Sequence, residues 1–529
     1  MLRDLLFEYI GHIFRNKVLG FVLLFTLSTY GCSRHESVRN ESVVQDTLYH
    51  EQFRPQYHFT PREKWMNDPN GMVYFDGEYH LFYQHNPDST VWGPMHWGHA
   101  VSKDLTHWEH LPIALYPDSI GFIFSGSAVA DLNNSSGFGT KEEPPLVAIF
   151  TYRHRKRSTK GFESQAIAYS LDKGRTWIKY KDNPVLEDKK SLGFRDPKVF
   201  WHVGSKRWLM VISSEDRVRI YSSINLKEWV FESDFGDQIG AHGGVWECPD
   251  LFELQVEGTD ISKWVMLVSV GKGGPNGGSA TQYFIGDFNG SKFLTDQVTP
   301  KWMDYGRDNY AGVTWSGSPD GRKILLGWMS NWQYANMVPT HPWRSAMTIP
   351  CELTLIETNG EYQLVSRPVV ELKSLRKQRN EIRPMSLSGY QEVEIKSRLD
   401  QSEYLFSFDF GQEEPEVLGL EWSNQLGDTL SVEYLSEGGY IGLRSSGPEI
   451  PLVKNFESIQ RAPYQSKEKL KIHVLMDWSS IELFVDDGSL VMTSLAFPTV
   501  PYETLKIYSL KGETTLKEGI VWELKSIWE

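Results

Sequence analysis

Three segments of this chain share one design: a strand-like run, then a serine, a tight polar turn and a tryptophan. They are Ser102-Lys103-Asp104-Leu105-Thr106-His107-Trp108, Ser170-Leu171-Asp172-Lys173-Gly174-Arg175-Thr176-Trp177 and Ser223-Ile224-Asn225-Leu226-Lys227-Glu228-Trp229. Turn signals recur every few residues around them and sustained helical periodicity is hard to find, which is an all-β pattern. A second set puts an acidic residue beside a proline at a strand start: Asp68-Pro69, Asp196-Pro197 and Pro249-Asp250. Strand-turn-strand units recurring at roughly 50 to 70 residues are what the radial blades of a propeller produce. The tryptophans are then expected to wedge between blades, and the acidic residues to meet in one axial funnel although the sequence separates them. Asp76-Gly77, between Gly71–Phe75 and Glu78–Tyr83, reads as a tight hairpin turn because both residues tolerate φ > 0.

The turn-rich pattern runs through Trp343-Arg344-Ser345-Ala346-Met347 and becomes charged from Glu371 to Arg383. A second β region follows, with alternation at Tyr404–Phe410 and Ser480–Val485. We therefore expect a catalytic propeller over 51–370 and a β-sandwich of accessory role over 371–529. At the other end, Arg15 and Lys17 precede an apolar run, Val18 to Leu27, too short to span a bilayer comfortably and ending at Ser28-Thr29-Tyr30-Gly31-Cys32. That layout is read as a lipoprotein signal over 1–31, with Cys32 as the lipid attachment site and 32–50 as a tether. The expected location is outside the cytoplasm, lipid-anchored at a membrane. The alternatives are an uncleaved anchor and ordinary secretion.

Formal net charge is -14, from 68 acidic against 54 basic side chains, a field that repels polyphosphates, so no nucleic-acid partner is expected. The cluster Arg153-His154-Arg155-Lys156-Arg157 reads as a solvated loop. With scattered histidines and three cysteines (Cys32, Cys248 and Cys351), no metal or disulfide signature is present, and no cofactor is expected. Aromatic content of 13%, with 19 Trp and 24 Tyr, suits stacking on sugar rings, although a large β core uses aromatics too.

Each acidic motif is weak alone. Asp68-Pro69-Asn70-Gly71 makes a good turn whatever its function; Asp196 could simply pair with Arg195, and Glu247 could close a strand. Their order and their Trp, Phe and Met neighbours raise them, because carboxylates in segments fit for burial are costly unless function retains them. Glycoside cleavage needs one carboxylate to attack the anomeric carbon and one carboxylic acid to protonate the leaving oxygen.

Over nearly the whole chain after the N-terminal segment, the sequence resembles glycoside hydrolase family 32, the invertase, inulinase and levanase group. Trp65-Met66-Asn67-Asp68-Pro69-Asn70-Gly71 is similar to its nucleophile motif, Arg195-Asp196-Pro197 to its stabiliser motif and Glu247-Cys248 to its acid/base motif. Supporting matches are Phe124–Val129, Tyr305–Ala311 and Gly327–Trp332. The resemblance implies a five-bladed propeller followed by a sandwich, with Asp68 as nucleophile, Asp196 as stabiliser and Glu247 as acid/base. It further implies substrate contacts from Trp65, Met66, Asn67, Gln84, Trp92, Phe124, Ser125, Arg195 and Trp332. Trp246 would give Glu247 apolar cover, and Cys248 would be buried filler. The segments Ser127–Gly137 and Ser330–Ala335 are nearer to fructan-degrading members than to sucrose-dedicated ones. The implied activity is retaining, exo-acting hydrolysis of levan or inulin, with sucrose as a lesser substrate. Endo cleavage, fructosyl transfer and non-catalytic fructan binding stay open as alternatives.

Overall fold

The computed structural model describes residues 48–155, 162–412, 414–447, 456, 458–465 and 467–528; the expected signal and Cys32 lie outside them. Strands dominate, and the one helical element among the described residues is a 3-10 turn at Val370–Leu375. Five sheets form the blades of a propeller. Their inner strands are Lys64–Phe75 (blade I), Gly121–Ala130 (II), Arg195–His202 (III), Trp246–Gln255 (IV) and Tyr310–Thr314 (V). The ring closes where Trp343 and Arg344, from the blade V segment, pair in parallel with Lys64 and Trp65 of blade I.

The Ser-turn-Trp repeat has the same physical basis each time. Asp104 accepts the backbone N–H groups of Thr106 and His107 at 2.9 and 2.8 Å. Asn225 accepts those of Lys227 and Glu228 at 3.0 and 2.9 Å, and Asp172 that of Thr176 at 2.9 Å. These Asx turns carry the chain through left-handed residues at Leu105, Lys173 and Leu226 and aim the tryptophan at the preceding blade. Trp108 stacks on Trp315 at the end of the blade V inner strand, with ring centroids 6.2 Å apart. Trp177 meets Phe82 of blade I edge-on at 5.4 Å, and Trp229 packs with Val147 and Ile149 of blade II. Asp76-Gly77 is the expected turn, with φ of 50° and 89°.

The C-terminal region is one continuous eleven-stranded sheet folded over a shared core, and its last strand, Thr504–Leu524, serves both faces. The first half of that strand pairs with Val417–Ser423, the second with Ser402–Phe410 and Arg376–Ile382. This sandwich docks through the segment leading into the blade V inner strand. Asp304 accepts from Thr493 N and Oγ1 at 2.9 and 2.6 Å, and Asp308 from Leu495 N at 2.8 Å. Between them a Cβ on Gly306 would lie 2.0 Å from the Thr493 carbonyl oxygen, so only glycine permits the approach.

A second bond between the regions is ionic. His58 lies wholly buried between Asp477 and Glu482 of the sandwich, 2.8 Å from one and 2.9 Å from the other. Burial by itself would strip the imidazole of its extra proton, but the two carboxylates outweigh burial and hold its pKa at about 9. Glu482 also accepts the backbone N–H of Ile349, at 2.8 Å. Because the folded pKa lies above the unfolded 6.5, this contribution to stability is complete below pH 6.5 and is lost as pH rises through 9. Thermal melts should therefore show a fall in Tm between those limits, and His58→Gln should lower Tm at neutral pH while flattening that fall.

Candidate active site

Four of the five inner strands carry the same irregularity. From Asn70 to Val73, Arg195 to Lys198, Glu247 to Asp250 and Tyr310 to Val313, the strand advances three residues while its neighbour advances two. Each is a one-residue β-bulge that re-aims side chains. The second residue of each is left-handed: Gly71 at φ 54°, Asp196 at 64°, Cys248 at 47° and Ala311 at 55°. Gly71 fits for a second reason, since a Cβ there would sit 2.5 Å from the Phe82 ring. Blade I has a further bulge between Met66 and Pro69, and blade II one between Phe124 and Gly126. The bulged segments carry Asp68, Ser125, Arg195, Glu247 and Tyr310, which hydrogen-bond one another across blade boundaries.

Three carboxylates converge there. Cys248 Sγ lies 3.7 Å from an oxygen of Asp68 and 3.7 Å from one of Asp196, and the Cys248 backbone N–H donates to Asp196 at 3.1 Å. Asp68 accepts from Ser125 Oγ at 2.7 Å and from Asn67 Nδ2 at 3.0 Å. Glu247 is gripped differently: Arg195 donates to Oε1 at 2.6 Å, and the Tyr310 hydroxyl donates to Oε2. Further along the same strands lies a second buried polar cluster. Lys198 Nζ sits 3.2 Å from Asp250, which also accepts from Thr314 N and Oγ1 at 2.7 and 2.8 Å.

Asp68 and Asp196 resist ionisation. Burial, and then the Glu247 charge, push Asp68 above the usual carboxylate range against the opposing bonds from Asn67 and Ser125. Burial pushes Asp196 up to about 8; Arg195 pulls down, while Glu247 and Asp68 push up. Burial raises the Cys248 thiol well above its normal value, so it is not a nucleophile poised as thiolate.

Several sequence expectations need revision. Trp65 and Met66 have no exposed surface: Trp65 donates its indole N–H to Asn67 at 2.7 Å and so orients the amide behind Asp68, and Met66 packs in the core. Gln84 is held by Asn70 at 2.7 Å. Arg195 is 3.9 Å from Asp196, its tighter partners being Glu247 and, at 3.2 Å, Glu163. Trp246 points away from Glu247 into the core beside Phe284 and Phe235. Cys248 is more than filler, since it bridges two of the three acids. Part of the basic cluster is structured: Arg153 bonds the buried Glu163 at 2.6 Å, whereas Lys156 and Arg157 lie outside the described residues. Trp92 is 44% exposed and meets the half-buried Phe124 at 6.2 Å; the half-buried Trp332 lies against Trp65 at 6.1 Å. Tyr310 and Glu163 were not foreseen as site residues. Tyr310 lies inside the supporting match Tyr305–Ala311, while Glu163 has no sequence signal.

A propeller funnel floored by acids, two of them held by different donors, has the make-up of a glycoside hydrolase. The family description "Glycosyl hydrolases family 32 N-terminal domain" matches residues 58–368, and "Glycosyl hydrolases family 32 C terminal" matches 371–523. The chain is 47% identical to a levanase of Bacillus subtilis, over 92% of this chain and 72% of that one. It is 36% identical to an extracellular exo-inulinase of Aspergillus awamori, over 91% and 96% respectively. The crystal structure of exo-inulinase from Aspergillus awamori superposes with a TM-score of 0.84 at 35% identity, covering 91% of this chain and all of the other. A β-fructofuranosidase from Schwanniomyces occidentalis, complexed with fructosyl-erythritol, gives 0.80 at 33% identity, over 91% and 99%. This chain belongs to glycosyl hydrolase family 32.

Removing the Tyr310 hydroxyl tests its contact with Glu247 at nearly constant shape. A hydrogen bond to a charged group is worth about 1.5–3 kcal/mol, so Tyr310→Phe should lower kcat roughly 10- to 100-fold while leaving Tm close to that of the parent. Steady-state kinetics and a melting curve read both.

Proposed function

We propose that the chain is a retaining, exo-acting β-fructosidase that releases fructose from levan or inulin, with sucrose as a secondary substrate. Asp68 attacks the anomeric C2 of a terminal fructosyl unit as Glu247 protonates the departing oxygen. Glu247 then takes a proton from the water that opens the fructosyl-enzyme, giving net retention. Asp196 accepts hydrogen bonds from fructose hydroxyls, which strengthen as the ring flattens toward the transition state. The observation that carries this reading is the division of donors. Asp68 accepts from neutral Ser125 and Asn67, which leaves an oxygen lone pair for attack. Glu247 sits between a guanidinium and a phenol, the setting of a group that exchanges a proton. Exo action and fructan substrates are supported by the relatives named levanase and exo-inulinase. The partly exposed Trp92, Phe124 and Trp332 offer apolar faces for sugar rings.

Incubation with levan, inulin and sucrose separately should give free fructose from the earliest time points, without intermediate oligomers. Accumulating oligomers would mean endo cleavage, and lengthened products would mean transfer. Asp68→Asn and Glu247→Gln should each lower kcat by about 10³-fold or more with the melting curve unchanged. Parent-like activity in Asp68→Asn removes the nucleophile from this scheme.

Export and lipid attachment at Cys32 belong to the same proposal, supported by the basic and apolar run ahead of that cysteine. Cys32→Ala should move the protein from the membrane fraction to the soluble one and abolish incorporation of labelled palmitate. Unchanged fractionation would end that part.

A further inference from the structure

Glu163 opens the third strand of blade II, and its side chain is 1% exposed. One of its oxygens, Oε1, receives two guanidiniums, from Arg153 at 2.6 Å and Arg195 at 3.2 Å. A carboxylate this deep persists only when it is paired. Arg195 is itself divided: the nitrogen that does not reach Glu163 donates to Glu247 at 2.6 Å. Arg153 is 33% exposed, so four alternating charges run from solvent to Glu247.

We infer that Glu163 is a positioning residue that sets, through Arg195, how tightly Glu247 holds its proton. This rests on the assignment of Glu247 as acid/base made above. The groups facing Glu247 are Asp68 and Asp196, which disfavour its charge, the Cys248 thiol and the Tyr310 hydroxyl, and Arg195, which favours its charge. Among them Arg195 is the one tied to a buried carboxylate on its far side. Whatever draws the guanidinium outward weakens its hold on Glu247, and whatever frees it inward strengthens that hold.

Two variants then move the pH–rate profile in opposite directions. Glu163→Gln keeps the shape and removes the outward pull, so Arg195 favours ionised Glu247 and the alkaline limb of kcat/KM should shift down by about half a pH unit or more. Arg153→Gln leaves Glu163 to Arg195 alone, draws the guanidinium outward, and should shift the same limb up. A purely structural role would lower Tm in both variants and leave the limb in place, and that result overturns the inference. A shift of equal sign in both overturns it too. If Glu163→Gln does not fold, the partly exposed Arg153 still carries the test, and an unmoved limb there is decisive. Glu247→Gln in the same series separates the two readings: parent-like activity would sink the acid/base assignment, whereas a dead Glu247→Gln beside unmoved limbs sinks only the relay.

Discussion

The site depends on one extra residue in each inner strand. A regular strand alternates its side chains, and five regular strands would line the axis with an ordinary packed core. The bulges at Arg195, Glu247 and Tyr310 fall at the same rung of three successive blades, which is why these three side chains form a chain of contacts across blade boundaries. The residues after them, Asp196, Cys248 and Ala311, accept left-handed backbone without being glycine, at roughly 1–3 kcal/mol each. Neighbouring blades hold them there, and strain of this kind concentrates where geometry serves chemistry.

That geometry makes three acids chemically unequal. All are crowded, yet the donors are shared out unevenly: hydroxyl and amide for Asp68, a backbone N–H for Asp196, guanidinium and phenol for Glu247. In a low-dielectric pocket the donor set, more than the carboxyl itself, sets the environment of each acid. Further along the same inner strands, Lys198, Asp250 and Thr314 form a second buried polar cluster.

The sandwich is less separate from this chemistry than its position in the chain suggests. The segment from Asp304 to Asp308, which fastens it to the propeller, runs within two residues of Tyr310, the donor to Glu247. His58 between Asp477 and Glu482 adds an independent tie on the N-terminal side of blade I. Docking and site geometry therefore share backbone.

The repeats were legible in the sequence because Asx turns and hairpin turns are local: Ser-x-Asp or Ser-x-Asn, a left-handed residue and a tryptophan are written in consecutive positions. So were the three acids as candidates, through the acid-proline and Glu-Cys motifs that carry them. Hidden from it were the partners. That Arg195 would turn from its neighbour Asp196 toward Glu247 and Glu163, that Trp246 would face away from the acid beside it, and that Cys248 would bridge two carboxylates follow from the angle at which blades meet. Sequence alone determined the strand-and-turn grammar and which acids were candidates, since both reside in short-range backbone preference. Tertiary structure decided who touches whom, because contacts between blades in the site join residues 32 to 180 positions apart, and only the assembled blades bring their side chains within bonding distance.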